Sequence, residues 1–192
     1  MSRMWIHGSG VVAQNVGGDF LRTVDGIHYT DVVGHRIGEG CVFRGKENTH
    51  NWFHFSVPVF SNYPYYDSSL RRFNDSRVEL TTVVALLALA DATVDAVHVW
   101  HGSTRVAAFP AGLTDRHDYR ELHEYSTAQR NWTALTNVWR LGPGGHDADP
   151  NTQNVIPLID RSIGISFGVQ FLSSGNPSIH LIGVGVDVKL RR

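Results

Sequence analysis

Three short segments each place a tryptophan and a histidine two residues apart: Trp5-Ile6-His7, Trp52-Phe53-His54 and His98-Val99-Trp100. Side chains alternate across a β-strand, so both members of each pair lie on one face if these segments are strands. Composition alone predicts about 0.6 such pairs at strand spacing, and three occur. Indole rings stack on ring-shaped ligands, and imidazoles exchange protons near neutral pH. The spacing therefore indicates a surface suited to binding or to acid–base chemistry.

The residues that alternate with these pairs are apolar, as in Phe53, Phe55, Val97 and Val99. One face of each strand therefore belongs to the core, and the Trp/His face is a second surface that needs its own partner. We expect the ligand-binding residues to be Trp5, His7, Trp52, His54, His98 and Trp100. A sugar ring, or another ring-shaped small molecule, suits a wall of indoles and imidazoles.

Two alternatives use the same residues differently. A cofactor-independent enzyme, such as a cyclase, isomerase or hydrolase, would draw its acids and bases from His54, His98, His117, Asp115 and Asp118. An assembly protein would use the Trp/His face as a subunit interface. Neither a triad spacing nor a cofactor motif in the sequence favours the enzyme over the binding protein.

Several apparent motifs fail on their context. The segment Gly164–Gly168 matches the hydrolase pattern G-x-S-x-G, but strand alternation runs straight through Ser166, where that motif needs a sharp turn. The stretch Gly40–Lys46 resembles a phosphate-binding loop, yet Glu47 replaces its hydroxyl residue. Segment 147–151 begins like a calcium loop but lacks the turn glycine and closing glutamate, so we interpret it as a solvated acidic loop. We predict neither a metal site nor a cofactor.

Length and charge exclude other classes of partner. With 192 residues, the chain is expected to form a single domain, 1–192. Its net charge is −1 and its basic residues are scattered, which disfavours nucleic acid and leaves little electrostatic protection against homo-oligomerisation. The apolar run Val83–Ala90 is too short to span a bilayer, and no secretory signal is visible at the N-terminus. We therefore expect a cytoplasmic protein without membrane contacts.

Period-two alternation dominates the chain. It is clearest in Ile163–Phe171 and His180–Leu190, which a turn-rich segment joins and which we predict to pair as a hairpin. In that hairpin, Gly164, Ser166 and Gly168 would align with Gly183 and Gly185. The run 81–90 is expected to be a strand buried on both faces. Residues 114–125 carry aromatic and apolar residues at helical spacing and are predicted to form one short helix. Together these patterns predict an all-β fold, an antiparallel sandwich or jelly-roll of about eight strands.

Five segments also resemble a family of uncharacterised β-rich proteins, known only as a domain of unknown function. They are Trp5–Gly8, Phe43–Gly45, Asn51–His54, Val97–Gly102 and Gly164–Phe171, in the same order over nearly the whole chain. The resemblance implies a β-sandwich-like domain and supplies no reaction.

Overall fold

The computed structural model describes residues 2–15, 21–38, 40–58, 62–109, 120–127, 132–141, 162–172 and 175–191. Within these ranges the chain forms fifteen strands and one 3-10 turn, Gly8–Gly10. The strands are β1 (Ser2–His7), β2 (Val12–Ala13), β3 (Leu21–Val24), β4 (Ile27–Thr30), β5 (Val33–Ile37), β6 (Gly40–Arg44), β7 (Thr49–Val57), β8 (Asn62–Asp67), β9 (Arg72–Ala90), β10 (Ala92–His101), β11 (Thr104–Phe109), β12 (Arg120–Thr127), β13 (Trp132–Arg140), β14 (Ile163–Phe171) and β15 (Ser178–Arg191).

The strands form two sheets that pack as a β-sandwich. Sheet A has the order β12-β13-β9-β15-β6-β5, with β1 added on β15 and β8 on β9. Sheet B has the order β11-β10-β14-β7-β4-β3, with β2 added on β7. Among the described strands, every pairing is antiparallel except the short contact between β4 and β7. The prediction of an all-β sandwich is confirmed, although about eight strands was too low a number.

The core lies between the sheets and is built from the apolar positions that alternation predicted. Phe53 and Phe55 of β7 and Val97 and Val99 of β10 are buried in it. Sheet A contributes apolar side chains to the same core, including Val186 of β15. The opposite faces of β7 and β10 are thereby left for other contacts, as the Trp/His spacing requires.

Strand β9 confirms the prediction of a strand buried on both faces. Its consecutive residues Val83, Val84 and Ala85 are each 0% exposed, although neighbouring side chains point to opposite faces. The strand ends at Ala90, and the next residue, Asp91, has a φ of 48°, in the left-handed region that aspartate tolerates better than most residues. From there the chain crosses from sheet A to sheet B.

The predicted hairpin of the last two strands is wrong. Strand β14 lies between β10 and β7 in sheet B, whereas β15 lies between β9 and β6 in sheet A. Both strands send their apolar residues into the same core, but from opposite sides of the sandwich. Period-two alternation reports only that each strand has a buried face. It cannot distinguish two neighbours in one sheet from two strands that face each other.

The predicted short helix is also wrong for those of its residues that the structure describes. Residues 120–125 belong to strand β12, which pairs with β13, and residues 114–119 lie outside the described ranges. The register of this pair shifts between Glu121 and Tyr125. Such an irregularity interrupts strict alternation, and a spacing of three then resembles helical periodicity. No helix in the described part of the chain is long and apolar enough to cross a membrane.

Candidate functional site

Two of the three Trp/His pairs meet on the outer face of sheet B. Strand β14 separates their strands, β7 and β10, and presents small residues between them. Trp52 is aligned with Gly168, and Trp100 with Gly164. Ser166 is aligned with a histidine on each side, His54 and His98. The indoles therefore neighbour glycines, which leave room above the strand for the rings to approach each other.

The rings on this face form a continuous strip. Trp52 and His98 are in contact across β14, with centroids 4.7 Å apart and planes inclined by 32°. His98 also contacts Trp100 edge-on at 6.1 Å. The strip continues the other way from Trp52 to His50 at 5.5 Å and from His50 to Tyr29 at 5.3 Å. We call Tyr29, His50, Trp52, His98 and Trp100 the aromatic strip.

His50 is held by a carboxylate that sequence reasoning missed. Its Nε2 lies 3.0 Å from each carboxylate oxygen of Asp95 and donates its hydrogen to them, and the His50 side chain is only 5% exposed. Simple alternation would put Asp95 in the core, because it shares odd parity with Val97 and Val99. A register shift between Val94 and Ala96 makes Asp95 an extra residue in its strand and brings it to the outer face.

His54 shares a hydrogen bond of 2.9 Å between its Nδ1 and the hydroxyl of Ser166. Burial lowers the pKa of His54, because a partly desolvated imidazole disfavours the charged form. Burial thus favours the neutral form of the His54 imidazole. Ser166 is 5% exposed and lies in the middle of β14, as the alternation predicted. Because β14 is paired on both sides, its backbone N–H groups bond to neighbouring strands and not to an oxyanion.

A pocket of about 130 Å³ opens beside Trp52. Its described lining residues are Gln14, Asn15, Val24, Tyr29 and Trp52. Apart from the indole and one valine, this wall consists of neutral groups that donate and accept hydrogen bonds.

The buried side chain of Asn51 fixes the loop that forms one side of the pocket. Its amide nitrogen donates to the carbonyls of Asn15 at 3.0 Å and Thr30 at 2.6 Å, and its oxygen accepts from the Asn15 N–H at 3.3 Å. The Gln14 N–H donates to the Trp52 carbonyl at 2.8 Å. The polar wall and the indole are thus connected through the backbone. Asn51 begins one of the segments that carry the family resemblance, but no local pattern in the sequence predicts these hydrogen bonds.

The third pair, Trp5 and His7, lies on sheet A. Trp5 is aligned with Gly185 and His7 with Gly183. A Cβ on Gly185 would lie 3.0 Å from the Trp5 ring, so the indole packs directly on the glycine backbone. Arg3 lies 6.0 Å from the Trp5 ring centroid. Of the six expected ligand-binding residues, the structure therefore brings four together and leaves these two on the opposite sheet.

Both ring nitrogens of His7 are used within the protein. Its Nε2–H donates to the Gly38 carbonyl at 3.1 Å, and its Nδ1 accepts from Ser9. Nearby, Arg3 makes two hydrogen bonds of 2.7 and 3.0 Å to Asp187, whose side chain is 8% exposed. The bonds between Arg3 and Asp187 anchor β1 on β15, and the bond from His7 to Gly38 holds the end of β1. We call Arg3, Trp5, His7 and Asp187 the β1 clamp.

The other candidates cannot be placed. His117, Asp115 and Asp118, the remaining catalytic candidates, lie outside the described residues, as does the acidic loop within 142–153. Among the residues that the structure does describe, no group of three His, Cys, Asp or Glu side chains could hold a metal ion.

No protein-family model and no curated protein sequence matches this chain, which agrees with the resemblance to an uncharacterised family and gives that family no name. Among solved structures, the chain is similar to a xylan-binding module, CBM15. That likeness has a TM-score of 0.43 and 10% sequence identity, and it covers 100% of this chain and 99% of the other. Neither a ligand nor a function is assigned from it.

Proposed function

We propose that the outer face of sheet B binds a neutral, sugar-like ring at Trp52. The proposal rests on the two surroundings of this partly exposed indole, an aromatic ring on one side and a polar pocket on the other. It is in contact with the His98 ring at 4.7 Å and also lines the pocket that contains Gln14, Asn15 and Tyr29. An aromatic face held in place beside convergent amide and hydroxyl groups suits a ring with apolar C–H faces and an edge of hydroxyls.

The chemistry of the pocket favours a neutral ligand. The described lining residues carry amide, phenol, indole and aliphatic side chains, and none of them is charged at neutral pH. A carboxylate or phosphate seated there would lose hydration without gaining an opposite charge from these residues. Amides and a phenol can instead pair with hydroxyl groups as both donors and acceptors.

The size of the pocket limits what enters it. About 130 Å³ is below the range of about 300–1,000 Å³ that is usual for sites enclosing a whole ligand. We therefore expect one ring to be seated beside Trp52, with any further rings lying along the aromatic strip towards Trp100. A short oligosaccharide fits this description better than a compact single molecule.

A glycan array with neutral and acidic oligosaccharides tests the proposal, followed by calorimetric titration of the strongest signals. Neutral glycans should bind, and Trp52→Ala should weaken binding by at least about thirtyfold, because a stacking indole in a site commonly contributes about 2 kcal/mol. Trp5→Ala is the matched control, a tryptophan removed from the opposite sheet, and should change the affinity less than about twofold. Undiminished binding by Trp52→Ala would refute the proposed site.

A second candidate, acid–base catalysis on the same face, is favoured by the bond between His54 and Ser166. A neutral His54 could take a proton from a substrate or from the serine hydroxyl. The position of Ser166 in a doubly paired strand speaks against its use as a nucleophile, because the backbone N–H groups of that strand bond within the sheet. If an array ligand is chemically changed by the wild-type protein and not by His54→Gln, the enzyme alternative is the correct one.

A further inference from the structure

Within the aromatic strip, three strands of sheet B meet in one contact. Asp95 of β10 and His50 and Trp52 of β7 meet above Gly168 of β14. A Cβ on Gly168 would lie 2.6 Å from Asp95 Oδ1, 3.1 Å from His50 Nε2 and 3.1 Å from Trp52 Cη2. Any side chain at this position would displace at least one of the three groups. The glycine thus provides the space in which the carboxylate, imidazole and indole meet.

The orientation of the His50 ring depends on Asp95. The carboxylate accepts the Nε2–H, while Nδ1 is buried and has no hydrogen-bond partner among the described residues. A rotated or displaced ring would lose the hydrogen bond to Asp95. Turned as it is, His50 meets the Trp52 ring edge-on, at a centroid distance of 5.5 Å and an interplanar angle of 64°. It meets Tyr29, on the pocket wall, at 5.3 Å and 82°.

We propose that Asp95, acting through His50, is a positioning residue that sets the tilt at which Trp52 faces the pocket. The extra residue in β10 brings the carboxylate to the outer face, the carboxylate fixes the imidazole, and the imidazole supports the two aromatic rings of the pocket. The consequence for ligand affinity rests on the proposed function. The effect on Trp52 itself does not.

Labelling the protein with 5-fluorotryptophan gives a readout that needs no ligand. Each of the five tryptophans contributes one fluorine resonance, and Trp52→Phe assigns that of Trp52. Asp95→Ala should shift the Trp52 resonance and leave that of Trp5 in place. Asp95→Asn, whose amide oxygen can still accept the His50 Nε2–H, should restore the wild-type position. A merely structural loss would not be rescued in this way.

Two further variants control for misfolding and for nonspecific effects. Gly168→Ala disturbs the same contact from another strand and should also shift the Trp52 resonance. Asp187→Asn alters the acidic residue of the β1 clamp and should affect the resonance of Trp5 and not that of Trp52. If Asp95→Ala leaves the Trp52 resonance within its wild-type linewidth, the proposal is overturned, whatever the effect of Gly168→Ala.

Affinity completes the test, measured with the neutral oligosaccharide that gives the strongest array signal. We expect Asp95→Ala to weaken its binding on the order of tenfold and Asp95→Asn to stay within about threefold of wild type. Equal affinities for Asp95→Ala and wild type would contradict a positioning role. Should no array glycan bind the wild-type protein, the proposed function fails, and the fluorine resonances still decide whether Asp95 orients Trp52.

Discussion

The β1 clamp and the aromatic strip share one sequence pattern, but their tryptophan and histidine side chains make different contacts. In both, a tryptophan and a histidine two residues apart lie on the outer face of a sheet, and in both the indole neighbours a glycine of the next strand. In the clamp, the His7 ring nitrogens are both bonded within the protein, and Trp5, although 49% exposed, packs on the backbone of β15. In the strip, Trp52 borders a pocket. Residue type and spacing thus determine the face, and the neighbouring strands determine the role.

The largest difference is expected between Arg3→Ala, which removes the partner of Asp187 in the β1 clamp, and Asp95→Ala, which removes the partner of His50 in the aromatic strip. Arg3→Ala should lower the free energy of unfolding by about 2–3 kcal/mol, because the buried carboxylate of Asp187 loses both hydrogen bonds from the Arg3 guanidinium. It should not change ligand affinity. Asp95 is itself 30% exposed, and Asp95→Ala should lower affinity while lowering the free energy of unfolding by only about 1 kcal/mol, the cost of leaving the buried His50 Nε2–H without its acceptor. Urea denaturation and calorimetric titration of both variants check this, and the contrast fails if each variant loses both properties equally.

A smaller effect is expected from filling the space beneath Trp5. In Gly185→Ala, the new Cβ would lie 2.7 Å from the Met4 carbonyl oxygen and 3.0 Å from the Trp5 ring. We expect the free energy of unfolding to fall by about 1–2 kcal/mol, as in other overpacked sites, with unchanged ligand affinity below the melting temperature. Gly38→Ala is the matched control, since nothing lies within 4 Å of its new Cβ. Thermal melts compare the two glycine variants. Equal melting temperatures would show that the packing of Trp5 on Gly185 does not help to anchor β1.

The smallest effect is a pH dependence that belongs to His54, which lies on the same outer face as the aromatic strip. Burial lowers the pKa of His54 below its ordinary value of 6.5, so the unfolded chain takes up a proton at a higher pH than the folded protein does. Stability should therefore decline as the pH falls through about 6.5, and the loss should be complete below the folded-state pKa. His54→Gln, which can still bond Ser166, should show a flatter profile. Denaturation curves between about pH 8 and pH 5 measure this, and identical profiles would show that His54 carries no such penalty.

The sequence predicted the strands and faces better than their partners. Alternation placed Phe53 and Val97 in the core correctly, and with them Trp52 and His98 on the outer face. It could not assign β14 and β15 to different sheets, because each strand shows only that one of its faces is buried. For the same reason it could not separate Trp5 from Trp52.

The missed residues have different physical explanations. His50 precedes Trp52 by two positions, so the same alternation already places it on the outer face. Asp95 was not accessible to that reasoning, because the irregularity in β10 reverses its parity and no local signal announces it. Tyr29 comes from a strand that touches β7 at one aligned pair, a long-range contact that periodicity does not contain. Localisation and self-association stay predictions.

The central claim is that ligand binds at Trp52 and not at Trp5. The indole N–H signals of the five tryptophans, observed in a nitrogen–proton correlation spectrum, report on both places in one sample. During titration with the strongest neutral glycan of the array, the Trp52 signal should move with saturation, and the Trp5 signal should stay where it is. Movement of Trp5 with a stationary Trp52 would contradict the account.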